Sequence, residues 1–575
     1  MVGPCNPGAR RQNALRGNRG RGARGRATRP GPGRRPALVG LANPAGDGWH
    51  RDAFHFGCAI ESGGPGGGAA QGRARSSAKQ TRRRNAGRAG CDPGRVDHPP
   101  SGPLGGALLE AAPSRRVRRF RWGTRVSQSS LQLSSFRNGV HPAENKGSTE
   151  GLRIERMPFV ERYLIPLGQH IGAPSKPCVG VGEEVRRGQQ IADAGGFVSV
   201  PQHSPVDGRV TAIEQRRHPG GQYMLSIEIE ADRFSTQEFE VQPAIDWRAL
   251  DAKEFAAQVQ SAGLVGLGGA AFPSHVKYAV PEGKKATHLV LNGCECEPYL
   301  TCDHRVMSEW PEAVIRGTEI VASHLGVERT TIGVENNKAE AAAALRAVIR
   351  PEQNIDVQTV QVKYPQGAEK MLIQALFGKE VPAGKLPIDL GMVVNNVGTM
   401  AAVADWFDRG QPLIERVVTV SGPGIKRPAN LLVPIGTPVR AIIDFCGGLT
   451  DDVNQVILGG PMMGFTLSSL DAPILKGTSG ILAFTESQTA HPQEYTCIRC
   501  ARCLEACPLF LNPSRLGKLA RVGRTDELQE YHLMDCMECA ACSFACPSNI
   551  PLVHLIRVGK SALRAEMAAE KKASS

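Results

Sequence analysis

Eight cysteines near the C-terminus constrain this chain more than any other feature. They fall in two runs of one pattern, Cys497-x-x-Cys500-x-x-Cys503-x-x-x-Cys507-Pro508 and Cys536-x-x-Cys539-x-x-Cys542-x-x-x-Cys546-Pro547. This spacing suits paired [4Fe–4S] clusters. Three cysteines at intervals of three wrap one cubane face, and the fourth, after a longer step, points to the other cluster. The expected ligand sets are therefore Cys497, Cys500, Cys503 and Cys546 for one cluster, and Cys507, Cys536, Cys539 and Cys542 for the other. Structural zinc typically uses two separated Cys-x-x-Cys pairs, which three evenly spaced cysteines plus a Cys-Pro fit poorly. Two adjacent clusters make a wire, whereas one could be merely structural. Cys294, Cys296 and Cys302 lack partners at metal spacing and read as ordinary thiols beside a pocket.

Charge is placed unevenly. The chain of 575 residues has 69 Lys and Arg against 55 Asp and Glu. Residues 1–156 hold 29 of the basic and 9 of the acidic side chains, leaving 40 against 46 for the rest. The basic character thus belongs to the N-terminal stretch, and a nucleic-acid partner for the whole protein loses its support. Residues 1–156 read as a low-complexity Arg/Gly-rich segment, disordered or not translated, with a true start expected at Met157. No apolar run approaches ~18 residues, which argues against a membrane-spanning helix.

The remainder divides by rhythm. Residues 157–238 carry short apolar runs split by Gly and Pro, and Leu225 to Ile229 alternates with period two. The pattern resembles a biotinyl/lipoyl-type barrel-sandwich. The stretch Phe197 to Ser204 lacks the lysine that carries a swinging cofactor, so the domain is expected to be structural. Residues 239–415 alternate helix and strand signals, the mark of an α/β domain. Residues 416–487 return to strands and Gly/Pro turns. Residues 488–560 form a cysteine-rich helical module, and 561–575 read as a flexible tail.

Three loops of the α/β domain carry binding chemistry. Gly266, Gly268 and Gly269 would let backbone amides approach a phosphate, with Lys277 adding charge. Asn292-Gly-Cys-Glu295-Cys-Glu297-Pro298 follows an apolar strand, where polar side chains line an α/β crevice. Asn395, Asn396 and Thr399 follow a second strand, and asparagines suit ribityl hydroxyls or a flavin edge.

Gly266 to Lys277, Asn292 to Pro298 and Asn395 to Thr399 resemble the FMN- and NADH-binding motifs of the NADH-oxidising subunit of respiratory complex I. Ser421 to Pro428, with Gly459 and Gly460, is similar to that family's β-grasp (SLBB) domain. The chain departs from that family at Val265 and Leu267, where the family has Arg, and at Cys294, where the family has Asp. The Glu295-Cys-Glu-Pro-Tyr299 version, the N-terminal barrel-sandwich and the C-terminal double cluster resemble the RnfC family, one component of the Rnf complex, an ion-translocating ferredoxin:NAD oxidoreductase. This resemblance covers residues 157–560.

The resemblance implies a multidomain α/β protein: a barrel-sandwich, a Rossmann-like FMN/NADH domain, an SLBB β-grasp domain and a ferredoxin-type module. It implies FMN, NAD(H) and two [4Fe–4S] clusters as cofactors. No acid/base residue is required, because the flavin would exchange hydride with NADH and split electrons singly. The implied partners are membrane subunits of an Rnf-type complex and, indirectly, ferredoxin. The implied location is the cytoplasmic face of the inner membrane. The rival readings are a soluble flavin/iron–sulfur NADH oxidoreductase without ion translocation, and a non-enzymatic electron-transfer scaffold.

Overall fold

Gly and Pro punctuate the chain so often that its strands are short and its sheets small. The computed structural model describes residues 133–490 and 492–574, all within one compact unit. The expected disorder and start site of residues 1–132 lie outside the described residues.

The first body is a pair of small sheets. Arg162–Pro166, Tyr223–Ala231, Gly208–Arg217 and Glu184–Val185 form one, and Lys176–Pro177, Gln190–Asp193 and Gln202–His203 the other. Alternation along Tyr223–Ala231 buries Ile227 and Ile229 with Tyr163, Ile165 and Ile191. The hairpin Gly208–Ala231 is antiparallel, with a register shift between Val210 and Ala212.

The α/β body is a four-stranded parallel sheet in the order Ile355–Val360, Arg329–Glu335, His288–Gly293, Met392–Asn396. Its helices start and stop where their caps dictate. Asp251 and Glu254 make a capping box for Ala252–Ser261. Pro311 opens Pro311–Leu325, and Gly326, at φ 60°, closes it in the left-handed region. That helix packs on Val397–Arg409 so closely that a Cβ on Gly317 would stand 1.8 Å from the Met400 carbonyl. The core runs through Phe255, Leu289, Leu291, Ile332 and Phe407.

A six-stranded sheet follows, ordered Ile154–Arg156, Ala429–Pro434, Glu415–Ser421, Gly480–Thr485, Val453–Leu458, Phe465–Thr466. Its first strand corrects the sequence reading, which left residues 1–156 outside the fold. Residues 133–156 are ordered and threaded through the molecule. Ile154–Arg156 pairs in parallel with Asn430–Leu432, Val140 bridges to Tyr364, and Phe136, Lys146 and Thr149 are buried. The segment packs by single anchoring residues with no periodic apolar face, so composition alone hid it.

The C-terminal module is helical, and its last helix, Leu552–Ser574, is continuous. This differs from the flexible tail expected over 561–575. Ala, Glu and Lys are strong helix formers and extend a helix that Ile556 and Leu563 anchor to the core. Among the described residues no helix is long and apolar enough to cross a membrane.

Candidate functional site

The strand order reverses between His288–Gly293 and Met392–Asn396, and ligands of open α/β sheets sit at the carboxyl ends of the strands at such a point. The glycine loop arrives there because Gly263 turns the chain at φ 67° just past the capped helix. The Leu267 amide donates to Thr399 Oγ1 at 3.0 Å. A Cβ on Gly268 would lie 3.6 Å from Asn396, while one on Gly269 would meet open space. Asn396 Oδ1 accepts from the amides of Gly398 (2.8 Å) and Thr399 (3.3 Å), capping the 13-residue helix Val397–Arg409. Buried Asn395 accepts from the Tyr278 hydroxyl at 3.3 Å. Its Nδ2 has no partner among the described residues. An open glycine loop, a helix N-terminus and an orphaned amide donor fit a flavin nucleotide. Lys277 reaches the same strand end, donating to the Val394 carbonyl (2.8 Å) and pairing with Glu369.

The acidic turn is built differently from expectation. Asn292 donates to the Gly367 carbonyl at 2.7 Å and accepts from the Cys294 amide at 3.0 Å, so its amide shapes the turn. Glu295 is buried and accepts from the amides of Asp303 (3.0 Å) and His304 (3.2 Å), where it caps the helix Cys302–Glu309. Glu297 accepts from the amides of Met462 and Met463, each at 3.0 Å. Gly460 must be glycine for that contact, since a Cβ would come 2.1 Å from Glu297 Oε2. Both carboxylates thus meet protein donors instead of standing open to a ribose. Burial pushes Glu297 up, against the pull of those amides.

Sequence reasoning missed three residues here. Lys146 Nζ donates to the carbonyls of Glu295 and Glu297, each at 2.9 Å, and to that of Leu300. Its signal was hidden by the surrounding low-complexity composition. Asp303 accepts from Asn396 Nδ2 at 2.7 Å, and burial, then Glu295, raises its carboxyl to about 7. The Tyr364 hydroxyl lies 3.4 Å from Glu297 Oε1. Burial pushes the thiols of Cys294, Cys296 and Cys302 up.

The two cysteine runs fold alike. Arg499 and Ala501 flank Cys500 at positive φ, and Glu538 and Ala540 flank Cys539 in the same way. Phe510 and Asn549, each three residues past the last cysteine of its run, repeat the conformation. Such alternation turns amides inward around an anionic group; the Glu538 amide lies 3.3 Å from Cys536 Sγ. Cys507, Cys536, Cys539 and Cys542 line one apolar cavity with Leu511, Leu516 and Ile556. Cys503 lies within electrostatic reach of Cys497 and Cys546. This grouping fits the exchanged ligand sets of two clusters. Burial raises the Cys539 thiol to about 12. Among the described residues no set of three or more His, Cys, Asp or Glu is arranged for a single metal ion.

The α/β body and the cysteine module touch. Tyr364, Cys296, Met462 and Val140 pack in one apolar cluster with Cys539, Ala541 and Ala506.

Comparison with known proteins follows the same division. Residues 134–234 match the RnfC barrel sandwich hybrid domain, and 259–405 the Nuo51 FMN-binding domain. Residues 417–466 match the SLBB domain, and 494–550 the 4Fe-4S dicluster domain. The first match starts at residue 134, so the resemblance reaches back beyond Met157. The chain is 46% identical over 440 residues to the C component of the proton-translocating ferredoxin:NAD(+) oxidoreductase complex of Clostridium ljungdahlii, covering 76% of this chain and 96% of that one. It is 42% identical to the corresponding component of the Na(+)-translocating complex of Acetobacterium woodii, covering 76% and 98%. It is also 42% identical to the C component of the ion-translocating oxidoreductase complex of Rhodobacter capsulatus, covering 75% and 84%.

Proposed function

Because this chain belongs to the RnfC family, a component of ion-translocating ferredoxin:NAD(+) oxidoreductase complexes, we propose that it passes electrons between NADH and ferredoxin-linked partners through FMN and two [4Fe–4S] clusters. What supports this reading is the apolar cluster that brings Tyr364 and Cys296 of the flavin-binding domain together with Cys539 of the dicluster module. FMN, when bound, supplies the exchange between a two-electron hydride carrier and one-electron clusters.

The chain's own residues position that exchange. Gly266, Gly268 and Gly269 offer amides, and Asn396 with Thr399 holds the helix N-terminus open to a phosphate. Asn395 Nδ2 is the free donor for a ring edge. Lys277 sets a cation at the strand ends. Asn292, Glu295 and Glu297 fix the turn that forms the crevice wall and joins it to the SLBB domain. Cys497, Cys500, Cys503 and Cys546 hold one cluster, and Cys507, Cys536, Cys539 and Cys542 the other. As a component of such a complex, the chain is proposed to sit on its membrane subunits, on the cytoplasmic side. The test is cofactor analysis of the purified chain. About eight iron and eight sulfide with one FMN per chain are expected; zinc in place of iron, or no flavin, would contradict the reading.

A further inference from the structure

The two clusters sit in different surroundings. The Cys507/Cys536/Cys539/Cys542 set faces inward. Cys539 packs against the flavin-binding domain, and Asn138 Nδ2 and the Gly139 amide bind the carbonyls of Cys507 (2.9 Å) and Ala506 (3.3 Å). The other set reaches the surface at one ligand, with Cys497 and Cys546 half-buried and Cys503 buried. Cys500 is exposed, and large apolar side chains stand exposed on both segments that carry its set: Tyr495, Ile498 and Leu504 on one, Phe544 on the other. The segments are stitched together, the Tyr495 amide donating to the Ser548 carbonyl at 2.9 Å. Exposed Arg499 and Arg502 bracket Cys500 and have no ion pair among the described residues; Glu505 is the one acidic side chain from Tyr495 to Cys507.

From this geometry we infer that the face around Cys500 is the docking surface for an electron-transfer subunit of the membrane complex. The inference rests on the cluster assignment above and gives the wire a direction. The inner set shares an apolar cluster with Tyr364 of the flavin-binding domain, and electrons would cross to the partner through the outer one. Such a face needs an apolar centre to exclude water and a charged rim to steer encounter. Tyr495, Ile498 and Phe544 supply the centre. Arg499 and Arg502 supply a basic rim, which selects a partner with an acidic edge around its own redox group.

The experiment uses the full chain with its cofactors and native membranes that hold the other subunits of the complex. Ile498→Glu and, separately, Arg499→Glu with Arg502→Glu should each lower co-sedimentation with those membranes at least about tenfold, a hot-spot loss. Iron, sulfide, FMN and NADH-dependent reduction of ferricyanide should stay at wild-type values. Phe234→Glu, at a side chain 98% exposed on the first body, should bind as wild type. Raising salt should weaken wild-type binding more than that of the arginine double variant. Unchanged binding in Ile498→Glu and in the double variant, with clusters present, would overturn the docking face alone. So would a wild-type dimer that Ile498→Glu dissociates, since the face would then bind a second copy. Clusters absent from the wild-type chain would instead remove the reading on which the inference rests.

Discussion

Asp303 shows how a single carboxyl can report on the crevice. It joins Asn396, the cap of the helix facing the proposed flavin site, to Glu295 in the acidic turn. Its carboxyl stands at about 7 against an ordinary 3.8, raised by burial and then by Glu295. The folded chain therefore binds this proton more tightly than the unfolded one. The stabilisation is fully present below pH about 4 and is lost as pH rises through about 7. At roughly 1.4 kcal/mol per pKa unit, the swing is a few kcal/mol at most. Asp303→Asn keeps an acceptor for Asn396 and removes the titration. Urea unfolding at pH 5 and pH 8 should show the wild type losing stability relative to the variant across that interval. Parallel profiles for the two proteins would mean that Asp303 does not titrate there. Nothing in the sequence marked this residue, because its environment comes from Asn396 and Glu295, brought to it only by folding. Glu295 and Glu297 were visible as a motif, yet their partners, the amides of Asp303, His304, Met462 and Met463, are set only in the folded chain.

Among the elements, the cysteine runs carry the clearest expectation, because their spacing restricts which thiols can share a cubane. The exchanged fourth ligands give a sharp expectation. Cys546→Ser should perturb the EPR signal of the cluster held by Cys497, Cys500 and Cys503, and damage confined to the Cys536 cluster would reverse the partition. Helix and strand positions in the α/β body were also readable, since apolar periodicity and caps are local. The segment 133–156 was not. It is held by buried Lys146 under the acidic turn, a short parallel strand, bridges to Val360 and Tyr364, and hydrogen bonds to the carbonyls of Ala506 and Cys507. A chain beginning at Met157 would leave the carbonyls of Glu295, Glu297 and Leu300 without their donor, at about 1–3 kcal/mol for each buried group. It would also expose the edge of Ala429–Pro434. Such a truncation should lower the thermal midpoint and lose FMN; full cofactor content and an unchanged midpoint would show the strap to be dispensable.

At the scale of the whole molecule, four small bodies are arranged so that a flavin-binding crevice, an inner cysteine set and an outer cysteine set follow one another. Each body was legible from its own sequence rhythm, but their order in space was not, since it depends on contacts such as Tyr364 with Cys539. The central claim is that these bodies act as one conductor between NADH and the outer cluster. Anaerobic addition of NADH to the purified holoprotein, followed by EPR at low temperature, tests it most directly. The expected result is bleaching of the flavin absorption together with signals from two reduced, magnetically interacting [4Fe–4S] clusters, formed without any other subunit. Clusters that respond to dithionite but stay oxidised with NADH would contradict it.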